Sequence, residues 1–137
     1  MTPASRSGRV EGGGDSLPPY TRTLSFSAVA GAATSARAEA LVVYALQGAK
    51  GVEGVESGKL RASLEALVRS EGFRAKRGTT LLLHTAGLFP AKRVLIAGLG
   101  RREDLDLDAI RAAAGAAARR ADQSSASSIT FAPPPEF

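Results

Sequence analysis

The stretch Gly78-Thr-Thr-Leu-Leu-Leu-His-Thr-Ala-Gly-Leu-Phe-Pro-Ala-Lys-Arg-Val-Leu-Ile-Ala-Gly-Leu-Gly100 decides the fold. It holds two β-forming runs, Thr79–His84 and Arg93–Ala97, separated by eight residues that include Gly87 and Pro90. A connection of that length is too short for the usual helical crossover. If the two strands are neighbours, they are expected to pair antiparallel.

Downstream, Arg101-Arg102-Glu103-Asp104-Leu105-Asp106 reads as a helix start. Asp106 or Asp108 is expected to cap a helix over Leu107–Asp122, with Ile110, Ala113, Ala114, Ala117 and Ala121 along one side. Its small residues and Gly115 suit close approach to a sheet. Ser128–Ala132 then reads as a last strand.

Upstream, Leu24–Ala30 alternates apolar and small polar residues as a half-buried strand does, and Ala40–Leu46 is nearly continuous apolar sequence, as in a strand covered on both faces. Ser57 is placed to cap a helix over Gly58–Arg69 in which Leu60, Leu64, Leu67 and Val68 form one stripe, and Gly72 is placed to end it. The alternation of strands and helices gives an α/β fold with about five strands in a mixed sheet. Three segments follow: a Gly-, Ser- and Pro-rich flexible leader over 1–21, a folded domain over 22–132, and the start of a linker over 133–137, opened by Pro133-Pro134-Pro135.

At 137 residues the chain is the size of one ordinary domain. It has no cysteine, which removes disulfides, thiolate metal sites and a cysteine nucleophile, and agrees with a cytoplasmic protein. Its longest apolar runs, Ala40–Leu46 and Val94–Leu99, are far shorter than the roughly 20 residues of a membrane-spanning helix, so no membrane association is expected. The net charge of +5 is unevenly spread: Arg69 to Arg102 holds eight basic residues against the single acid Glu71. Arg74, Lys76, Arg77, Lys92, Arg93, Arg101 and Arg102 bracket the two central strands and are the candidates for phosphate contacts with DNA.

Other chemistry finds little support. Gly98-Leu99-Gly100 between a strand and a helix invites a dinucleotide reading, but Glu103 stands where the third glycine belongs and four acids crowd the phosphate position. His84, the one histidine, has no Asp, Glu or second His at ligand spacing, and no serine sits in a Gly-x-Ser-x-Gly elbow. No catalytic, metal-binding or cofactor-binding residue is expected.

The order of these pieces resembles the amino-terminal domain of the leucyl (cytosol) aminopeptidase family. The resemblance spans roughly Leu24 to Ala132 and is closest over Lys76–Ile110, through the Gly78–Leu83 strand, the Arg93–Gly100 strand and turn, and the Ala-rich helix. It implies a macro-domain-like, three-layer fold with a mixed sheet between helices. It also implies that catalysis by the parent, a two-metal (Mn or Zn) exopeptidase, belongs to a separate carboxy-terminal domain. The chain then reads as an isolated or truncated amino-terminal domain whose partners are its own catalytic domain and the neighbours of a homo-hexamer. Two alternatives are DNA binding, known for some bacterial members, and a nucleotide or ADP-ribose pocket inherited with the fold.

Overall fold

The structure, a computed structural model, describes residues 5–10, 24–29, 31, 35, 37–48, 51–55, 58–87 and 89–135. They divide into two compact units, Met1–Gly31 and Ala32–Phe137.

In the first unit, β1 (Ser5–Val10) and β2 (Leu24–Val29) form an antiparallel pair in register from Ser5↔Val29 to Val10↔Leu24. The strand expected at Leu24–Ala30 is therefore present. Its partner, Ser5–Val10, lies in the run read from sequence as a flexible leader. That run is polar and lacks an apolar period, whereas a β ladder needs only paired backbone N–H and C=O groups. Residues 11–21 lie outside the described residues.

The second unit is built on β3 (Ala40–Ala45), whose six residues are all buried. The two-residue β4 (Val52–Glu53) pairs antiparallel with the end of β3 through Tyr44↔Glu53 and Ala45↔Val52. After α1 (Lys59–Ser70), β5 (Thr80–His84) and β6 (Arg93–Gly98) pair antiparallel from Thr80↔Ala97 to His84↔Arg93, as their short connection requires. β6 runs parallel to β3 over its whole length. A 3₁₀ turn at Arg102–Asp104 leads into α2 (Leu107–Gln123), and β7 (Ile129–Phe131) returns parallel to the first half of β3. The result is a mixed five-stranded sheet with β3 at its centre, flanked by β6 on one side and by β4 and β7 on the other. The sheet has five strands as expected, but the strand expected at Leu24–Ala30 belongs to the separate β1–β2 pair and β4 takes its place in the count. β4, too short to show a period, is a member the sequence did not reveal.

Apolar burial concentrates where parallel pairing demands it, in Leu41, Val42 and Val43 of β3 and Val94, Leu95 and Ile96 of β6. α2 lies against this sheet through Ala109, Ala113, Ala116, Ala117 and Ala121. Asp106 caps it, its carboxylate accepting the Ala109 N–H at 2.8 Å. The cap expected at Ser57 lies outside the described residues; the residue preceding α1 is Gly58, which offers no side-chain cap. The helix ends as expected, with Gly72 in the left-handed region at φ 66° and the Phe73 N–H directed back to the Val68 carbonyl.

Buried Tyr44 ties β3 to the end of β7 by donating its hydroxyl to the Ala132 carbonyl at 2.9 Å. Burial also pushes its phenol up to about 12, so the donor form persists through neutral pH.

Candidate functional site

The parallel strands β3 and β6 end side by side, with Ala45 opposite Gly98, and the chain segment 73–79 crosses this end of the sheet. The crossing is made of backbone contacts. Gly98 N–H donates to the Thr79 carbonyl at 2.8 Å, Leu99 N–H to the Ala45 carbonyl at 3.0 Å, and Gly100 N–H to the Ala75 carbonyl at 3.0 Å. The Thr79 hydroxyl and N–H both donate to the Lys76 carbonyl.

This arrangement settles the role of Gly98-Leu99-Gly100. All three N–H groups already have backbone acceptors, so none is left for a phosphate. A Cβ added at Gly98 would lie 2.2 Å from the Lys76 carbonyl oxygen, so glycine stands there because another stretch of backbone occupies the side-chain space. Gly100, at φ 80°, makes the turn that follows.

Antiparallel pairing of β5 with β6 divides the basic cluster. Arg74, Lys76 and Arg77 precede β5, and Arg101 and Arg102 follow β6, so these five sit at the carboxyl end of β6. Lys92 and Arg93 sit at its opposite end, across a six-residue strand that spans about 17 Å. Four of the seven also have internal partners. Arg77 donates to the Asp104 carbonyl at 3.0 Å and the Asp106 carboxylate at 3.2 Å, and Arg93 to the Ser124 carbonyl at 2.9 Å. Arg101 pairs with Asp104 and Glu103, and Arg102 with Glu53 at 3.5 Å. Arg74, Lys76 and Lys92 are exposed, and their side chains make no hydrogen bond or ion pair among the described residues. The seven candidates therefore do not form one continuous basic face.

Two cavities open at the carboxyl ends of the parallel strands, where open α/β sheets commonly place ligands. The first, about 410 Å³, lies between the end of β3, β4, α1 and residues 73–75. Buried Leu46 and Val52 and half-buried Val68 and Phe73 line it, with Gln47, Glu65, Arg69 and Arg74 around them. The second, about 600 Å³, is polar, and Arg77, Arg101, Glu103, Asp104 and Asp106 line it. Arg77 is paired with Asp106 and Arg101 with both Glu103 and Asp104, so two cations meet three acids and the lining is net negative. Gln47 lines both cavities, and Ala75 lines the first. Ala75 is buried with φ 59°, left-handed backbone that a non-glycine residue adopts at a cost, and it turns Arg74 toward the first cavity and Arg77 toward the second.

His84 is exposed at the end of β5, opposite Arg93 in the ladder. Among the described residues no three His, Asp or Glu side chains converge on one point, so these residues offer no donor set that fits a two-metal centre. No helix of the described residues is long and apolar enough to cross a membrane. One connection escaped the sequence altogether. Glu39 accepts the Ser127 N–H at 2.7 Å, and this hydrogen bond, aided by Lys92 and Arg93, holds its carboxyl below the usual carboxylate range. The pair lies 88 positions apart, and no local pattern marks it.

Comparison with known proteins places this geometry. Residues 42–136 match the model of the "Cytosol aminopeptidase family, N-terminal domain". A probable cytosol aminopeptidase of Thermosynechococcus vestitus is 38% identical over 78 residues, which is 57% of this chain and 16% of that protein. One of Geobacter sp. is 43% identical over 70 residues, 51% of this chain and 14% of that protein. A third, of Rippkaea orientalis, is 39% identical over 64 residues, 47% of this chain and 13% of that protein. The matched region thus spans about one-seventh of the length of these relatives. Among solved structures, the macrodomain of Mycobacterium tuberculosis DarG superposes with a TM-score of 0.53 at 16% identity, covering 74% of this chain and 71% of that one. The fold is macrodomain-like.

Proposed function

The chain belongs to the cytosol aminopeptidase family through its N-terminal domain, and from that premise we propose that it is a non-catalytic domain of a larger cytoplasmic aminopeptidase. In this reading the parent removes amino-terminal residues from peptides with two divalent metals, Mn or Zn, held in a separate catalytic domain. The domain described here contributes to assembly with that catalytic domain and with neighbouring subunits. One observation carries the reading: a family-model match over residues 42–136, on relatives of which the matched region is only about one-seventh. The absence of a fitting donor set among the described residues supports assigning the chemistry elsewhere.

The assembly role is tested in the Geobacter sp. relative by deleting the segment that matches this chain and, separately, replacing it with residues 32–137 of this chain. Sedimentation velocity is expected to show a smaller assembly for the deletion and the parental assembly for the replacement. A deletion protein that assembles as the parent does would remove the assembly role.

A further inference from the structure

We propose that the cavity between α1 and the end of β3 is a binding site for a small apolar amino acid or dipeptide in its zwitterionic form. The volume of about 410 Å³ is at the small end of the range of roughly 300–1,000 Å³ typical of small-molecule sites. It suits an occupant of amino-acid or dipeptide size. Leu46, Val52, Val68 and Phe73 give it an apolar lining that a branched aliphatic or aromatic side chain would fill.

The charges around that lining are of both signs. Arg69 and Arg74 are exposed, and their side chains make no hydrogen bond or ion pair among the described residues. A guanidinium fork matches a carboxylate, so these two present the cationic side of the site. Glu65 is the anionic side. Its Oε1 accepts from Arg61 Nε at 2.9 Å, and Oε2 has no partner among the described residues and is the acceptor for an ammonium group. The left-handed turn at Ala75 stations Arg74 on this cavity, and buried strained backbone of that kind collects at binding sites. A phosphate group fits less well, because the Glu65 carboxylate in the lining would face it.

Binding rests on this cavity alone. Its meaning, that peptide-cleavage products or substrates are sensed away from the catalytic centre, rests on the reading proposed above.

The test is titration of the ¹⁵N-labelled 137-residue chain, followed by amide chemical shifts, with L-leucine, 3-methylbutylamine, 4-methylpentanoate and adenosine monophosphate. Leucine is expected to saturate shifts at Gly51, Val68 and Phe73 with a Kd on the order of 1 mM. The amine and the acid, each lacking one charge, should bind at least about tenfold more weakly. Arg69→Glu combined with Arg74→Glu, at two exposed positions, should abolish saturation and leave the amide spectrum folded. Absence of saturable shifts with leucine, equal binding of the one-charge analogues, or binding unchanged in the double variant would overturn the proposal. Tighter binding of adenosine monophosphate would overturn it in favour of a phosphate site. None of these outcomes bears on family membership or on where catalysis resides, so failure here stays distinct from failure of the broader reading.

Discussion

Gly98→Ala is expected to leave the domain largely unfolded at room temperature. The added methyl carbon would sit 2.2 Å from the Lys76 carbonyl oxygen, 2.7 Å from the Thr79 hydroxyl oxygen and 2.8 Å from the Ala75 carbonyl carbon. Two of those three atoms are backbone, and neither can step aside. The 73–79 segment is fastened by the hydrogen bonds from Gly98 and Gly100, and on its other side it continues directly into β5. Relieving the clash means separating the crossing segment from β6, with loss of those bonds and exposure of the core around Leu99, which is fully buried. A cost above about 4 kcal/mol follows, comparable with the whole stability of a domain this size. Gly100→Ala is the control. Its Cβ would come no closer than 3.4 Å to Arg77, so only the φ of 80° is penalised, at about 1–2 kcal/mol. Circular dichroism melts of the two variants should therefore differ sharply. A cooperative Gly98→Ala melt near that of the parent would show that the crossing does not pass so close.

The second large effect is expected in α1. Leu64 and Leu67 lie one turn apart on the same helix and have the same helix propensity, so replacing each with alanine compares burial alone. Leu64 is 1% exposed and Leu67 39%. Leu64→Ala should cost about 3 kcal/mol, the transfer free energy of the removed carbons plus the cavity they leave, and lower the melting temperature by roughly 12–24 °C. Leu67→Ala should cost less than about 1 kcal/mol. Equal losses, or the reverse order, would mean that α1 is rotated about its axis relative to the arrangement described.

These two sites also show how far the sequence could be read. Periodicity finds α1 and the stripe that contains Leu64, yet it assigns Leu67 to the same stripe, because helical spacing cannot say how wide a face the sheet will cover. Gly98 is legible as a turn glycine next to a strand. Its governing constraint is the passage of Ala75–Thr79 overhead, a tertiary contact twenty residues away in sequence, and local chemistry carries no trace of it. β5 and β6 and their antiparallel pairing were legible because a short connection leaves no other choice. β4 was not, since two residues carry no period.

The basic cluster gives the clearest case for the candidate site. Sequence groups seven cations around two strands. The antiparallel pairing then sends Lys92 and Arg93 to the far end of the sheet, and the acids of the Arg101–Asp106 stretch take up Arg77 and Arg101. Arg69, by contrast, meets Arg74 at one cavity because Gly72 ends α1 and the left-handed Ala75 turns the chain back. Both glycine and alanine are visible in sequence, but only glycine announces its φ.

The most direct test of the central claim, that this domain carries no peptidase centre of its own, is hydrolysis of leucine p-nitroanilide by the purified chain with Mn²⁺ or Zn²⁺ added. The account predicts no turnover above that of a mock purification, with the Geobacter sp. relative active under the same conditions. Metal-dependent hydrolysis that follows the chain through successive purification steps and is absent from the mock preparation would contradict it.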